Sequence, residues 1–319
     1  MDLNKILKGH ALDVLKTLPE CSINTCVTSP PYWNLRDYKT NPVLWNDGWT
    51  GELGAEPDFN LYINHLCDIF DEVKRVLKDD GTCFVNMGDT YGGSSLNCSY
   101  AVKTKGKTSF LKDVDHLQKV GHARGKYDKS LLLIPFRFAI EMQNRGWTVR
   151  NVIIWHKPNA VPASVKDRFT CDFEYIFFFS KNKKYYFEQQ FEPFNPLTYK
   201  RKFDDMTETK AKYFQGLGKR KQFLFHQKLL NNELKGRNMR AVWHIGVGSS
   251  SKCGHIATYP KKLIEVPIKA GCPENGVVLD PFIGSGTTAA VAEKLNRKWL
   301  GIELNPEYIK FAEERLNHE

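Results

Sequence analysis

Two short segments carry residues whose types and spacing suit chemistry. Near the C-terminus the chain reads Asp280-Pro281-Phe282-Ile283-Gly284-Ser285-Gly286-Thr287, and near the N-terminus it reads Ser29-Pro30-Pro31-Tyr32. The glycines of the first segment allow a tight turn and close approach of the backbone to a ligand. The prolines of the second fix φ at successive positions and remove two N–H donors, which leaves a stiff loop. We predict a ligand at the glycine turn and a planar, amine-bearing ring at the proline loop.

The glycine turn follows a predicted strand. Residues 277–279 are apolar and β-branched, and residues 287–295 predict the helix after the turn, as at the start of a Rossmann-like unit. The turn lacks the Gly-Lys-Ser/Thr ending of a phosphate loop. A second strand ends at Glu303, 23 residues after Asp280, where an acidic side chain can accept hydrogen bonds from ribose hydroxyls. If Glu303 is considered alone, the alternative is that its charge lies at the end of a strand and contacts only solvent.

The proline loop follows a strand predicted for residues 23–28. A planar base with an exocyclic amine suits this loop, since the Ser29 hydroxyl and the Pro30 carbonyl offer two acceptors and Tyr32 offers a stacking face. A proline turn with a buried aromatic ring is the structural alternative for the loop taken alone.

Both segments, in this order, resemble the S-adenosylmethionine-dependent DNA amino-methyltransferases of the β arrangement, in which S-P-P-Y precedes the target-recognition region and D-P-F-x-G-S-G-T comes last. The resemblance covers nearly the whole chain. It implies that the catalytic, base-holding residues are Ser29, Pro30, Pro31 and Tyr32. It implies that S-adenosyl-L-methionine is bound by Asp280, Phe282, Gly284, Ser285, Gly286, Thr287 and Glu303.

Two further segments match this family, namely residues 154–159 and 259–264. One position departs from it, because the segment of residues 8–15 usually carries Asp after Gly, whereas this chain has His10. A neutral imidazole can still form a hydrogen bond there, but we do not assign His10 to the site.

The resemblance implies methyl transfer to an exocyclic amine of a base extruded from duplex DNA. Ser29 favours N4 of cytosine, because D-P-P-Y or N-P-P-Y is more typical of enzymes that methylate N6 of adenine, yet Ser29 alone does not separate the two amines. The alternatives are N6-adenine methylation by the same machinery and a non-catalytic nucleic-acid-binding module. The implied setting is a restriction–modification system with a cognate endonuclease for the same site. The oligomeric state is left open.

The basic charge is concentrated in two segments. The formal net charge of the 319 residues is +10, with 15 Lys and Arg against 6 Asp and Glu in residues 181–240, and 8 Lys and Arg against 3 Asp in residues 101–129. In residues 181–240 aromatic residues are interleaved with the basic ones, which predicts phosphate contacts combined with base packing. The alternative is that these two lysine-rich segments are only solvent-exposed loops. We predict double-stranded DNA as the partner.

Alternating strand and helix patterns predict an α/β fold. The family resemblance implies a Rossmann-like, mostly parallel, seven-stranded methyltransferase sheet with a basic target-recognition insertion. The predicted organisation is a catalytic part in residues 1–180, with a basic loop at about 92–129, a recognition region in 181–245 and a cofactor-binding part in 246–319. A helix with an apolar stripe from Tyr62 to Leu77 is predicted to end by Gly81, and another is predicted over residues 131–145. Further strands are predicted over residues 82–87, 149–155 and 175–179.

Ligands of such folds bind beyond the carboxyl ends of the strands, so both opening segments are expected at one edge of the sheet. Asp89 also follows a predicted strand, and we interpret it as a turn residue rather than part of the pocket. The eight cysteines form no C-x-x-C pair, so neither a metal site nor a disulfide is expected. The absence of a signal-peptide or transmembrane pattern predicts a cytoplasmic protein without membrane association.

Overall fold

The computed structural model describes residues 1–35, 38, 40, 42–93, 127–195, 228, 235–248 and 259–317. These residues form two compact units, one of residues 1–188 with 241–319 and one of residues 189–240. Most of the predicted basic loop and most of the basic, aromatic stretch of residues 196–234 lie outside the described residues.

Twelve strands occur in the described residues. They are β1 (Lys5–Lys8), β2 (Ile23–Thr28), β3 (Val43–Leu44), β4 (Thr50–Gly51), β5 (Leu77–Met87), β6 (Thr148–His156), β7 (Phe173–Ser180), β8 (Phe191–Glu192), β9 (Arg237–Asn238), β10 (Val242–His244), β11 (Val277–Asp280) and β12 (Lys298–Glu303). Eight of them form the central sheet of the first unit in the order β1-β12-β11-β2-β5-β7-β6-β10. Only β7 runs antiparallel to its neighbours in this sheet.

The described helices are α1 (Ala11–Thr17), α2 (Phe59–Val76), α3 (Ile134–Asn144), α4 (Lys261–Gly271), α5 (Thr287–Lys294) and α6 (Pro306–Leu316). Buried apolar residues of α1, α2 and α3 share one cluster with Cys83, Val85 and Met87 of β5. Phe84 points to the other face of the sheet, where a Cβ atom on Gly271 of α4 would lie 2.9 Å from its ring. Since side chains alternate along a strand, the sheet is covered by helices on both faces.

The predicted mostly parallel α/β fold is confirmed. The sheet has one strand more than the seven predicted, because the three residues of β10 pair with β6 at the edge of the sheet. The helix α6 begins at Pro306, and the Asn305 side chain accepts a hydrogen bond from the backbone N–H of Glu307. This is the usual role of an N-cap residue.

Two predicted element boundaries are wrong. The helix α2 ends at Val76 rather than close to Gly81, because Leu77 turns to φ −66° and ψ 141° and begins β5 directly. The apolar spacing from Val73 to Leu77 suits a helix and a buried strand equally, so it did not mark the change. The helix α3 begins at Ile134, because Leu133 has the left-handed φ of 57° that a helix does not continue through.

Asp89 supports the start of α3, as a turn residue would. Its Oδ1 accepts hydrogen bonds from the backbone N–H groups of Thr90 and Ile134. These contacts satisfy donors that a helix start leaves without an intrahelical partner. Asp89 is therefore a capping and turn residue, in agreement with its interpretation from the sequence.

The second unit is described mainly by one short hairpin. Strand β8 pairs with β9 in antiparallel fashion. The Glu192 carboxylate forms ion pairs of 2.7 Å with Arg237 and 2.6 Å with Arg240. The role of this unit in target recognition stays a prediction.

No helix in the described part of the chain is both long and apolar enough to cross a membrane. Within the same residues, no group of three or more His, Cys, Asp and Glu side chains has the arrangement of a metal site. The six described cysteines are free thiols.

Candidate active site

A cavity of about 290 Å³ opens at the edge of the sheet where β2, β11 and β12 end. Its volume is close to the lower end of typical ligand sites, roughly 300–1,000 Å³. Nine of the eleven site residues predicted from the sequence line it, namely Ser29, Pro30, Pro31, Tyr32, Phe282, Gly284, Ser285, Thr287 and Glu303. The cavity thus brings the proline loop and the glycine turn together. Asp280 and Gly286 are not among its lining residues.

Asp280 lies beneath the glycine turn with only 1% of its surface exposed. Its Oδ1 accepts hydrogen bonds from the Thr28 hydroxyl at 2.6 Å and from the Phe282 N–H at 3.1 Å. Its Oδ2 accepts from Tyr259 at 3.1 Å and from Thr288 at 2.5 Å. Burial raises the pKa of Asp280, while these donors act to lower it. Asp280 therefore ties the turn to β2 and does not face the cavity.

Gly286 shapes the turn in the same indirect way. It has φ of 78° and is the N-cap residue of α5, and a Cβ atom there would lie 3.1 Å from Cβ of Ala312 in α6. Both the left-handed φ and the tight contact favour glycine. Arg315 of α6 holds the turn from the same side by donating a hydrogen bond of 2.8 Å to the Thr287 hydroxyl.

Glu303 presents a fixed carboxylate to the cavity. Its Oε2 accepts a hydrogen bond of 3.0 Å from the Gly284 N–H, and its Oε1 accepts one of 2.8 Å from the Asn305 N–H. Burial raises the pKa of Glu303, and the backbone donors oppose this effect. Each carboxylate oxygen has a further lone pair, so the group can still accept two hydrogen bonds from a ligand diol.

Several hydrogen bonds hold the proline loop in place. The Tyr62 hydroxyl donates a 2.7 Å hydrogen bond to the Pro31 carbonyl. The Ser29 hydroxyl donates to the Tyr32 oxygen at 3.3 Å, and Tyr32 in turn donates to Glu174 Oε2 at 2.8 Å. Burial, reinforced by the nearby Glu174 carboxylate, raises the pKa of Tyr32 well above its ordinary value. Tyr32 therefore stays a neutral phenol at physiological pH.

Three residues that the sequence did not single out complete this network. Lys157 forms an ion pair with Glu174, and each side chain is 18% exposed. Asn86 donates hydrogen bonds to the Tyr32 oxygen at 2.6 Å and to Glu174 Oε2 at 2.7 Å. All three line the cavity, and the buried Oδ1 of Asn86 has no hydrogen-bond partner among the described residues.

The direction of β7 explains why Glu174 escaped prediction. Because β7 is antiparallel, its first residues lie at the edge of the sheet where β2 and β5 end. The sequence predicted this strand without its direction. Lys157 had one signal, since it lies in the segment 154–159 that matches the family. For Asn86 the sequence contained no signal except its position as the penultimate residue of a strand.

Gly88 matters for its small size. It follows β5 directly, and a Cβ atom there would lie 2.8 Å from Cε2 of Tyr32. Real Cβ atoms are almost never found so close to a ring carbon, so a larger residue would displace the Tyr32 ring.

Residues 43–53 contribute another wall through Val43, Gly51, Glu52 and Leu53. This wall rests on His65 of α2, whose ring stacks on Trp45 at 4.0 Å and on Trp49 at 5.4 Å between ring centroids. The two ring nitrogens of His65 lie 3.0 Å from Glu56 Oε1 and 3.1 Å from Asp47 Oδ2.

The electrostatics of this histidine favour its charged form. Burial alone would lower the pKa of His65, but the hydrogen bonds and charges of Glu56 and Asp47 outweigh burial and raise it. Glu56 also accepts a 2.8 Å hydrogen bond from the Gly54 N–H. The His65 cluster thereby fixes the backbone next to the cavity.

His10 lines the cavity although the sequence did not place it in the site. Its ring meets Trp45 edge-on at 4.8 Å. Burial lowers the pKa of His10, which Asp13 only partly opposes. The neutral imidazole can therefore offer a donor or an acceptor to a bound group.

Comparison with known proteins identifies the family of the chain. The family profile described as DNA methylase, for N6 and N4 methyltransferases, matches residues 23–314. The Type II methyltransferase M.SmaI of Serratia marcescens is 36% identical over 314 residues, which cover 98% of this chain and 90% of that protein. The Type II methyltransferase M.XycI of Xanthomonas campestris pv. cyanopsidis is 37% identical over 311 residues, which cover 98% and 87%.

Solved structures share the fold at lower sequence identity. The PvuII DNA methyltransferase (cytosine-N4-specific) has a TM-score of 0.62 and 20% identity, covering 100% of this chain and 91% of that one. The Thermus thermophilus protein TTHA0409, a putative DNA modification methylase complexed with S-adenosyl-L-methionine, has a TM-score of 0.55 and 21% identity, covering 98% and 95%. The chain therefore belongs to the N6/N4 DNA methylase family and is a Type II DNA methyltransferase that uses S-adenosyl-L-methionine.

Proposed function

We propose that the protein methylates N4 of cytosine in duplex DNA, by extruding the target base and transferring the methyl group directly to its exocyclic amine. The observation that carries this proposal is that Ser29 and Tyr32 line the same cavity as Glu303. A base at the proline loop and a cofactor at Glu303 would then occupy one cavity. Direct transfer needs the two reactants in that proximity.

The residues at the ends of β11 and β12 fit S-adenosyl-L-methionine. The Glu303 carboxylate, held by two backbone N–H groups, would accept hydrogen bonds from the ribose diol. The turn that holds Phe282, Gly284, Ser285 and Thr287 lines the adjoining wall and would contact the methionine moiety. Asp280 would act through the turn rather than by contact. When bound, the cofactor supplies a methyl group already activated on a sulfonium.

The proline loop fits an exocyclic amine. Because the Ser29 hydroxyl directs its hydrogen to Tyr32, its lone pairs remain able to accept a hydrogen bond from the amine. The Pro30 carbonyl would accept the second. Together they would draw the amine nitrogen toward tetrahedral geometry and concentrate its lone pair. Stacking on the Tyr32 ring would contribute roughly 1–3 kcal/mol.

The choice between cytosine and adenine rests on two supports. Ser29 occupies the first position of the S-P-P-Y segment, and the fold resembles an enzyme named as cytosine-N4-specific. Methylation of adenine N6 is the second candidate, since its amine offers the same two hydrogens to Ser29 and Pro30.

Mass spectrometry of nucleosides from DNA treated with the enzyme tests the choice of base. We expect N4-methylcytosine from the wild-type protein and no methylated nucleoside from Tyr32→Ala. N6-methyladenine in its place would replace the proposal by the second candidate. Undiminished methylation by Tyr32→Ala would remove the stacking role.

The Type II relatives support a restriction–modification setting, in which a cognate endonuclease cuts the same unmethylated site. We further propose that residues 1–180 and 246–319 form the catalytic and cofactor-binding parts and that residues 181–245 recognise the target. Replacing the lysines of residues 200–228, most of which lie outside the described residues, should flatten the salt dependence of duplex binding, because fewer phosphates are neutralised. An unaltered slope would place the DNA elsewhere.

A further inference from the structure

The loop that joins β6 to β7 stands at the rim of the cavity. The residues that flank it, Lys157 and Glu174, both line the cavity wall. Between them, every residue from 161 to 171 is exposed. The loop therefore projects outward from the rim of the active site.

Phe169 is the most exposed large apolar side chain in this loop, with 96% of its surface accessible. Its neighbours are anchored. The Arg168 guanidinium lies 3.3 Å from the centre of the Tyr91 ring, and Asp167 forms an ion pair of 2.9 Å with Lys129. The backbone around Phe169 is thus held to the body of the unit while the phenyl ring points away from it.

The charges beside Phe169 suit a polyanion. Asp167 is paired with Lys129, and the basic residues Lys166 and Arg168 lie within three residues of Phe169 in the chain. Lysine and arginine contact phosphates and fix the register of a protein on a duplex. An exposed aromatic ring that closely follows two basic residues in the chain suits DNA better than it suits an apolar protein surface.

We propose that Phe169 is a wedge that enters the duplex at the position vacated by the target base. This inference rests on base extrusion, which is part of the proposed function. Extrusion leaves a gap in the base stack, and apolar side chains such as phenylalanine insert between base steps. Since the extruded base enters the cavity, the gap lies next to the rim, where the loop projects. Phe169 is therefore a positioning residue that stabilises the extruded state and does not touch the reacting atoms.

The test compares Phe169→Ala and Phe169→Trp with a matched control, Ile140→Ala. Ile140 is another apolar side chain, 59% exposed, but it lies on α3 and not at the rim. The recognition site is first located by sequencing DNA that the wild-type enzyme has methylated. Single-turnover methylation is then measured on two synthetic duplexes, one fully paired and one with a mismatch opposite the target base, which lowers the cost of extrusion.

Phe169→Ala is expected to slow methylation of the paired duplex by about tenfold or more and to approach the wild-type rate on the mismatched duplex, where extrusion is already favoured. Phe169→Trp and Ile140→Ala should keep wild-type rates on both. A wild-type rate of Phe169→Ala on the paired duplex would overturn the wedge, and so would an equal loss on both duplexes.

A fluorescent reporter separates failure of the wedge from failure of the proposed function. With 2-aminopurine at the target position, the wild-type enzyme should raise the fluorescence on binding, and Phe169→Ala should raise it much less. If the wild-type enzyme gives no rise, base extrusion itself is wrong and the wedge falls with it. If both proteins give the same rise, extrusion stands and only the wedge is wrong.

Discussion

Thr28 donates a 2.6 Å hydrogen bond from its hydroxyl to the buried carboxylate of Asp280, although 252 residues separate the two in sequence. The contact exists because β2 and β11 are adjacent parallel strands, with Cys26 opposite Leu279. Thr28 precedes the proline loop and Asp280 precedes the glycine turn. This hydrogen bond therefore links the two strand ends from which the proline loop and the glycine turn leave the sheet.

Thr28→Val should destabilise the fold by about 1–3 kcal/mol, the cost of leaving a buried acceptor without its donor. Valine keeps the shape of threonine but removes the hydroxyl, so Asp280 loses one of the donors that balance its burial. Urea unfolding measures the change, and Thr28→Ser, which retains the hydroxyl, is the control. A valine variant as stable as the wild type would show that the contact contributes nothing to the fold.

Glu303→Gln should weaken S-adenosyl-L-methionine binding roughly 10- to 100-fold, because hydrogen bonds to a charged acceptor are worth about 1.5–3 kcal/mol. Titration calorimetry gives the dissociation constant. Glu307→Gln is the matched control, since Glu307 is exposed in the first turn of α6. Equal affinities for wild type and Glu303→Gln would exclude Glu303 from the cofactor site.

Lys157→Met should lower the rate of methyl transfer by about tenfold while leaving cofactor affinity within about twofold, since a loss confined to the rate marks an interaction made in the transition state. The substitution leaves the half-buried Glu174 carboxylate without its cation, and Glu174 holds the Tyr32 hydroxyl. Single-turnover rates measure the effect.

The variant Lys157→Arg, which keeps the charge, should retain most of the activity. The double variant Lys157→Met with Glu174→Gln should recover part of it, because no uncompensated carboxylate remains. Cofactor affinity that falls as much as the rate would indicate general damage to the cavity instead.

The stability of the fold should depend on pH through His65. The folded-state pKa of His65 is raised above its ordinary value of 6.5, so its charged form stabilises the fold. This contribution is fully present below the unfolded pKa and is lost as the pH rises through the higher folded pKa. The advantage of the wild type over His65→Gln in free energy of unfolding should therefore shrink from about pH 6 upward. Urea unfolding at a series of pH values measures it, and a constant difference would contradict the linkage.

Local sequence sufficed for the parts of the site that are contiguous in the chain. The prolines of residues 30–31, the glycines of residues 284–286 and the apolar run before each of them predicted two strand-end loops at one sheet edge. Nine of the predicted residues do line one cavity. Such signals are readable because φ preferences and apolar periodicity are properties of neighbouring residues.

Contacts between distant segments could not be predicted from the sequence. Glu174 reaches Tyr32 only because β7 runs antiparallel, and no local pattern states the direction of a strand. His10 departs from the usual Asp of the family but still lines the cavity, because the start of α1 lies beside the loop that carries Trp45. The end of α2 was misplaced, because Leu77 satisfies both the helical and the strand periodicity.

The sequence by itself determined the two loops that line one cavity and, through the family that their motifs resemble, the α/β fold and the cofactor, since these motifs are residue types at short spacing. The tertiary structure alone decided that Asp280 faces inward to Thr28, that Asn86, Lys157 and Glu174 hold Tyr32, and that Phe169 projects from the rim. The physical reason is that burial and side-chain partnership follow from the order and direction of strands in the sheet. Those properties arise from packing over the whole chain and not from any single segment.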